Sequence, residues 1–209
     1  MNNNIYIYGA GGHAKVIAEI AEKCGVLILG AIDKNLIKST LLDKYNVYLN
    51  HEILLDCNTP KKIVIAVGNN LYRKRIAIEE LKDHDFVTLI HPNTFVSDYA
   101  ELDKGTVVMA GVSVNADVQI GKHCIINTNS SIDHDCLLED YVHISPNASL
   151  AGNVFIGEGT HIGIGACIIQ GVKIGKWCTI GAGSVIIKDV PDGCTVVGNP
   201  GRIIKENQL

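Results

Sequence analysis

A six-residue repeat constrains this chain more than any other feature of its sequence. Starting at Val96, every sixth residue is Val, Leu or Ile for sixteen consecutive positions, ending at Ile186. A fixed period of this kind is typical of β-helix solenoids, in which each repeat forms one short strand of a coil. Three hexapeptides make a triangular coil, so the repeat predicts about five stacked coils with the aliphatic side chains pointing to the axis.

Small residues are expected at the corners of these coils. The position four residues after each aliphatic one is mostly small or β-branched, as at Thr106 and Ser130. A small side chain fits a crowded corner, where a larger one would clash. Cys124, Cys136 and Cys178 also occupy this position, and we interpret them as core residues. The position directly after the aliphatic residue is glycine at Gly121, Gly157, Gly163, Gly175 and Gly181.

The sequence before residue 93 follows a different pattern, in which short apolar runs alternate with helical spacing. The predicted strands cover 5–8, 26–32, 63–67 and 86–90, and the predicted helices cover 16–24 and 72–82. Such alternation indicates βαβ units and a parallel sheet. The predicted fold is therefore an α/β domain at 1–92, with a small Rossmann-like parallel sheet, followed by an all-β parallel β-helix domain with a C-terminal tail at 93–209.

Composition excludes several classes of partner. The 18 basic and 22 acidic residues give a net charge of −4, and no basic block occurs, which argues against nucleic acid and anionic membranes. No apolar run is long enough for a transmembrane helix, and the first residues lack the features of a signal peptide. Seven cysteines in no compact framework suit free thiols in a reducing compartment, so a cytoplasmic location is predicted.

A glycine-rich segment at 9–13 follows the first predicted strand and leads into the first predicted helix. Glycines let a backbone approach an anion, and a helix N-terminus supplies N–H donors, so a phosphate site is one interpretation. The segment also fits a G-x-G-x-x-A dinucleotide pattern, with Asp33 following His13 by 20 residues. A nucleotide half-site suits a domain of about 90 residues better than a dinucleotide site. A tight turn without a ligand is the remaining interpretation.

His134 lies between two carboxylates, Asp133 and Asp135, and follows the inward Ile132 by two residues. This position predicts a side chain on the outer side of a coil. Flanking acids can hold an imidazole in one tautomer and raise its basicity. The pattern therefore indicates either a general base or a surface histidine among charges.

His143 and His161 are 18 residues apart, which is one full coil, and we expect them to stack at the same corner. Two stacked imidazoles could bind a metal, line a ligand groove or form a polar column. The H-x-x-x-x-H zinc pair of β-helical carbonic anhydrases does not occur in this sequence, and neither does a CxxC pair. No metal site is predicted.

Together these features resemble the NeuD/PglD-like sugar acetyltransferases, which are hexapeptide-repeat enzymes whose coils wind left-handed. The resemblance extends over nearly the whole chain and rests on residues 5–16, 66–70, 131–136, 151–154 and the tail at 196–202. It implies an acetyl-CoA-dependent N-acetyltransferase of bacterial surface glycan synthesis. The implied acceptor is a nucleotide-linked 4-amino-4,6-dideoxy sugar, with UDP as the nucleotide. O-acetylation of sialic acid, as in the NeuD branch, is the alternative. An NAD-linked oxidoreductase and a non-catalytic scaffold are the other classes considered.

The resemblance also implies roles for individual residues. It makes His134 the general base and Asp135 the acid that increases its basicity. The implied substrate-binding residues are Gly11, Gly12 and His13 at the phosphates or sugar, Asp33 and Lys34 at the nucleoside, and Gly68 and Asn69 at the sugar. The implied acetyl-CoA-binding residues are His143, Ile164 and Ala182. A homotrimer with active sites between neighbouring subunits, and no metal, is expected on the same ground.

Overall fold

A computed structural model describes residues 4–34, 39–49 and 60–206 of the chain. Its internal contacts divide the chain into two compact units, 1–92 and 93–209. The predicted fold class, an α/β half followed by a parallel β-helix, is confirmed. In the described ranges, no helix is long and apolar enough to cross a membrane.

Unit 1 (1–92) is built on one sheet. The sheet contains β1 (Asn4–Tyr8), β2 (Leu27–Ile32), β3 (Thr40–Leu41), β4 (Tyr45–Tyr48), β5 (Lys62–Ile65) and β6 (Asp85–Phe86), and the two-residue strand β7 (Leu89–Ile90) is not part of it. Its helices are α1 (Gly12–Lys23) and α2 (Asn70–Arg75), and α2 continues as a π-helical segment, Ile76–Glu80. Among the described residues the sheet order is β3-β4-β2-β1-β5-β6. The central strand β1 pairs in parallel with β2 and β5, as the alternating pattern predicts.

Unit 1 differs from the sequence-based expectations in four places. The single strand expected at 86–90 is two short strands, β6 and β7. The pair β3 and β4 is antiparallel and was not predicted, because two- and four-residue strands carry too little apolar periodicity to be recognised. Helix α1 begins at Gly12, so part of the glycine segment is its first turn. The helix expected at 72–82 is present over Asn70–Glu80, but α-helical geometry ends at Arg75 and a π-helical segment follows.

Unit 2 (93–209) is a three-faced parallel β-helix. Face 1 comprises Phe95–Val96, Ser113–Val114, Ser131–Ile132, Ser149–Leu150, Cys167–Ile168 and Val185–Ile186. Face 2 comprises Glu101–Leu102, Gln119–Ile120, Leu137–Leu138, Phe155–Ile156 and Lys173–Ile174. Face 3 comprises Val107–Val108, Ile125–Ile126, His143–Ile144, His161–Ile162, Thr179–Ile180 and Cys194–Val197, and the tail strand Arg202–Glu206 pairs antiparallel with the last of these.

The six-residue repeat places its aliphatic residues in one continuous core. Ile126, Ile144 and Ile162 pair in register on successive coils, and each is completely buried. The three cysteines interpreted as core residues are buried as free thiols, whereas Cys57 lies outside the described residues. Buried hydroxyls satisfy the corner backbone: Thr106 Oγ1 donates to the Gly121 carbonyl at 2.8 Å and accepts from the Cys124 N–H at 3.0 Å.

A left-handed backbone conformation recurs at every sixth residue of unit 2. All positions from 105 to 183 in steps of six have positive φ, and most are Gly, Asn or Asp, the residues that adopt this conformation most readily. Asp135 belongs to this series, with φ of 61°. The corner geometry that closes each coil therefore also sets the backbone of the residue beside His134.

Glycines at the inner edge of the corners are expected to be indispensable, and Gly157 provides the test. A Cβ atom there would lie 2.6 Å from the Gly175 carbonyl carbon and the Lys176 nitrogen, both backbone atoms of the next coil. Gly157→Ala should lower the free energy of unfolding by about 1–3 kcal/mol, because the coils cannot move apart without losing their hydrogen bonds. Gly171→Asn is the control, since position 171 is open and Asn already occupies equivalent corners. Equal melting temperatures for the two variants would contradict this explanation.

Candidate functional site

His134 and Asp135 form a hydrogen-bonded pair at the corner between faces 1 and 2. The His134 Nδ1 atom lies 2.6 Å from Asp135 Oδ2, and 54% of the imidazole side chain is exposed. The positive φ of Asp135 accompanies this contact between adjacent residues. The ring is therefore fixed through Nδ1, which leaves the opposite nitrogen, Nε2, on the other side of the ring.

Asp133 and Asn115 fix the backbone under His134. Asp133 Oδ1 accepts a hydrogen bond from the His134 N–H at 2.8 Å, and Asn115 Nδ2 donates to the same oxygen at 2.7 Å. The bond from Asn115, and after it the bond from the His134 N–H, lowers the pKa of the Asp133 carboxyl. Asn115 was not predicted, although its place 18 residues before Asp133 was a usable signal once the coil length was known.

The two carboxylates make His134 more basic than an ordinary histidine. The hydrogen bond that Asp135 accepts from the ring is the main cause, and the charge of Asp133 adds to it, so the pKa of His134 is raised above 6.5. A raised pKa strengthens the neutral imidazole as a proton acceptor. The arrangement is suited to general-base chemistry on a group that approaches the outside of the coil.

Gly152, one coil above His134, makes room for the imidazole ring. A Cβ atom at this position would lie 2.6 Å from Cε1 and 2.7 Å from Nε2 of His134. The ring thus lies flat against the backbone of the next coil, and any side chain there would displace it. The 18-residue spacing between the two positions was again the signal that could have identified this glycine.

His143 and His161 stack as expected, with ring centroids 4.7 Å apart and planes 10° from parallel. Their expected location at a corner is wrong, because both lie in strands of face 3 and precede the inward Ile144 and Ile162. Outward alternation along the strand places the two rings on the surface of that face. His143 Nε2 lies 3.2 Å from Asn127 Nδ2, and among the described residues no group of His, Cys, Asp and Glu is arranged to hold a metal.

Ile164 and Ala182 lie one coil apart at the corner between faces 3 and 1. Both are exposed, Ile164 by 58%. Together with His143 on face 3, they follow an edge of the β-helix that is not the edge carrying His134. A single chain therefore does not bring the proposed base and the proposed acetyl-CoA residues to one corner.

An open pocket with a volume of about 650 Å³ lies along face 2. Its lining includes the carboxylates of Glu101, Asp103, Glu139 and Glu158, with Lys176 as a basic residue. None of the predicted site residues lines it. An acidic surface repels phosphate groups, so this concavity does not suit a nucleotide or coenzyme A.

In unit 1 the candidate residues gather at the carboxyl ends of β1, β2 and β5, the edge at which open α/β sheets bind ligands. Gly9 is required by the fold itself, because its φ is 111° and a Cβ atom would lie 2.8 Å from the Ala66 carbonyl oxygen. Gly11 and Gly12 differ, since a Cβ atom at either position meets nothing within 4 Å. The fold does not require glycine there, whereas a ligand approaching the backbone would.

Asp33 and Lys34 are both anchored by hydrogen bonds. Asp33 Oδ2 accepts from the Ala10 N–H at 2.8 Å, which ties the end of β2 to the glycine segment. Lys34 Nζ lies 2.6 Å from Glu80 Oε1 at the end of the π-helical segment. The contact of Glu80 with Lys34 was not predicted, because the sequence of an expected α-helix does not show where the Glu80 side chain points.

His13 faces a different electrostatic environment from His134. Burial, together with the charge of Arg73, lowers the pKa of the His13 imidazole from 6.5 to about 4. Its Nε2 atom is buried and has no hydrogen-bond partner among the described residues. His13 is therefore neutral at pH 7, and it can offer a hydrogen bond to a ligand but not a positive charge.

Gly68 and Asn69 are exposed at the end of β5, where α2 begins. Asn69 caps this helix, because its Oδ1 accepts from the Tyr72 N–H at 2.9 Å. The Gly68 carbonyl accepts from Arg73 Nη1 at 3.2 Å. These residues thus have a structural role in addition to the expected position beside a sugar.

Comparisons with known proteins match both units. The PglD N-terminal domain family matches residues 4–79, and the bacterial transferase hexapeptide family (six repeats) matches residues 153–188. A UDP-N-acetylbacillosamine N-acetyltransferase of Bacillus subtilis (strain 168) is 40% identical over 120 residues. That match spans 51% of each protein, so the chain matches about half the length of this curated relative.

Solved structures match almost the whole chain. A histidine variant of perosamine N-acetyltransferase from Caulobacter crescentus, in complex with CoA and GDP-perosamine, is 34% identical, with a TM-score of 0.91 and 97% of each chain covered. The acetyltransferase domain of PglB from Neisseria gonorrhoeae FA1090, in complex with acetyl coenzyme A, is 38% identical. Its TM-score is 0.90, and the match covers 98% of this chain and all of that one.

The pairing of His134 with Asp135 generates a prediction that needs no substrate. Asp135→Asn removes the main cause of the raised pKa, so the pKa of His134 should fall towards 6.5. Titration of the imidazole resonances by NMR would measure this shift, with Asp140→Asn, at a different corner, as the control. An unchanged His134 titration in Asp135→Asn would show that the pair does not set the basicity of the ring.

Proposed function

This chain belongs to the NeuD/PglD-like family of sugar acetyltransferases, and we propose that it transfers the acetyl group of acetyl-CoA to the amino group of a nucleotide-linked sugar. The proposed acceptor is a UDP-linked 4-amino-4,6-dideoxy sugar of bacterial surface glycan synthesis. The observation that carries the proposal is the His134–Asp135 pair, held at an exposed corner against Gly152.

The reaction needs one proton acceptor. The amine nitrogen attacks the thioester carbonyl carbon and forms the new C–N bond, and the C–S bond to coenzyme A then breaks. His134 takes the proton that the nitrogen loses and returns it to the departing thiolate, a role worth about 10²–10⁴ in rate. Asp135 stabilises the imidazolium that forms between these two steps, because its carboxylate is hydrogen-bonded to Nδ1 of the ring.

Unit 1 is proposed to bind the nucleotide sugar. Gly11 and Gly12 leave their side of the backbone open, and the first turn of α1 supplies N–H donors for phosphate oxygens. Neutral His13 contributes a hydrogen bond without fixing a cation beside the phosphates. Asp33 and Lys34 are assigned to the nucleoside, and Gly68 and Asn69 to the rim near the sugar.

Acetyl-CoA is proposed to bind along the edge that carries His143, Ile164 and Ala182. Because His134 lies at another corner of the same chain, the two sets can meet only if different subunits supply them. This separation favours a homotrimer in which each active site lies between neighbouring β-helices, as the family resemblance implies. No metal is assigned a role.

The named relatives favour N-acetylation over the alternatives considered from sequence. The relatives from Bacillus and Caulobacter are both named N-acetyltransferases of amino sugars. The glycine segment falls inside the match to the PglD N-terminal domain, which supports a nucleotide-sugar site over NAD binding. Sialic acid O-acetylation has no comparable support here.

A thiol-release assay with acetyl-CoA and a set of acceptors tests the proposed reaction. UDP-4-amino sugars or GDP-perosamine should release coenzyme A, whereas free and CMP-linked sialic acid should not. His134→Ala should reduce turnover by about 100-fold or more, because the proton acceptor is lost. Lys122→Ala, at the corner between faces 2 and 3, should leave turnover unchanged. Release with sialic acid alone, or full activity in His134→Ala, would refute the proposal.

Gly12→Ala tests the glycine segment separately from catalysis. A methyl group at position 12 meets no protein atom, so the melting temperature should be retained or rise. It would occupy the space next to the backbone, so affinity for the nucleotide sugar should fall by about tenfold or more. Isothermal titration calorimetry measures the loss, with Glu19→Ala on the exposed side of α1 as the control. Unchanged affinity in Gly12→Ala would place the phosphates elsewhere.

A further inference from the structure

We propose that Glu80 is a positioning residue for nucleotide binding, holding the Lys34 ammonium at the carboxyl ends of β1 and β2. The inference rests on the proposed function, because Lys34 is one of the residues assigned there to the nucleoside. Glu80 itself belongs to none of the sequence motifs, and it follows the matched PglD N-terminal segment, which ends at residue 79.

The geometry shows a carboxylate that joins a buried anchor to an exposed cation. Tyr8, which is 3% exposed, donates its phenolic O–H to Glu80 Oε2 at 2.6 Å. The other oxygen, Oε1, lies 2.6 Å from Lys34 Nζ. Exposure rises from Tyr8 through Glu80 to Lys34, since the side chain of Glu80 is 21% exposed and that of Lys34 is 55% exposed. Tyr8 thus fixes Glu80 from the core side, and Glu80 fixes Lys34 at the surface.

The π-helical segment determines where Glu80 points. Ile76–Glu80 replaces what would have been the last turn of an α-helix, and the wider turn changes the direction in which its final residue projects. Turns of this kind are rare and occur frequently at functional sites. Glu80, the last residue of the π-helical segment, therefore contacts both Tyr8 at the end of β1 and Lys34 after β2.

A lysine held in this way is better prepared to bind than a free one. A long side chain loses rotamer entropy when it binds a ligand, and a preformed ion pair has already ordered it. The ammonium can donate to a phosphate oxygen or to a carbonyl oxygen of a base. Asp33, next in sequence, is fixed at the same time by the Ala10 N–H. Glu80 carries negative charge, so it helps an anionic ligand only by positioning Lys34.

Glu80→Gln in the full-length protein tests the proposal directly. The amide keeps an oxygen that can accept from Tyr8 but loses the ion pair with Lys34. Calorimetry is carried out with UDP and with GDP. The nucleotide that the wild-type protein binds should bind the variant about three- to tenfold more weakly. In a Lys34→Ala background, Glu80→Gln should have no further effect, because the group on which it acts is gone. Glu79→Gln, its exposed neighbour, is the matched control.

Kinetics and a second variant separate positioning from folding. With the acceptor sugar, Glu80→Gln should raise KM and leave kcat nearly unchanged. Tyr8→Phe keeps the Glu80–Lys34 pair and removes its anchor, so it should weaken binding in the same direction by a smaller factor. If Glu80→Gln fails to fold, Tyr8→Phe and Lys34→Ala, singly and combined, provide the same comparison.

Three results would overturn the proposal: equal or tighter nucleotide binding by Glu80→Gln, independent effects of Glu80→Gln and Lys34→Ala, or no binding of UDP or GDP by the wild-type protein. Failure of the proposed function looks different. If UDP or GDP binds and depends on Glu80 while no acceptor is acetylated, the positioning role stands and the acetyl transfer does not.

Discussion

The stacking of coils at an 18-residue interval is the constraint on which the rest of unit 2 depends. Each residue lies directly above and below residues one coil away, so the side chain at one corner position determines the space available at the next. His134 can lie flat because Gly152 has no side chain, and its backbone is held by Asp133 because Asn115 bonds that carboxylate from below. The candidate base is thus assembled by the coil spacing and not by its immediate neighbours alone.

The same constraint limits what a single chain can do. Aliphatic side chains fill the interior of the β-helix between residues 93 and 206, and the proposed base lies on its outer surface. The residues proposed as base and as acetyl-CoA contacts lie at different corners, so the proposed reaction needs a second copy of the chain to bring them together. In unit 1 the proposed ligand contacts follow another principle, because they are backbone N–H groups and a few fixed side chains in loops at the carboxyl ends of parallel strands.

Much of this could be predicted from sequence because the signals were periodic or local. The six-residue repeat predicted the β-helix, and the flanking acids of His134 indicated a raised basicity, whereas the direct contact between Asp135 and the ring was left open by the sequence. What could not be predicted depended on contacts between distant positions. The direction of Glu80 follows from a π-helical turn, and the short pair β3 and β4 lacks a periodic signal. His143 and His161 were placed one coil apart correctly, but on a corner and not on face 3, since the repeat gives spacing more reliably than the boundary between strand and corner.

The most direct test of the central claim is complementation between two inactive variants. His134→Ala removes the proposed base, and Ile164→Arg blocks the proposed donor edge, so each variant alone should be inactive. In purified trimers that contain both variants, about a third of the interfaces would combine an intact base with an intact donor edge, and acetyl transfer should recover to about that fraction of the wild-type rate. Mixed trimers no more active than either variant alone would contradict an active site shared between subunits.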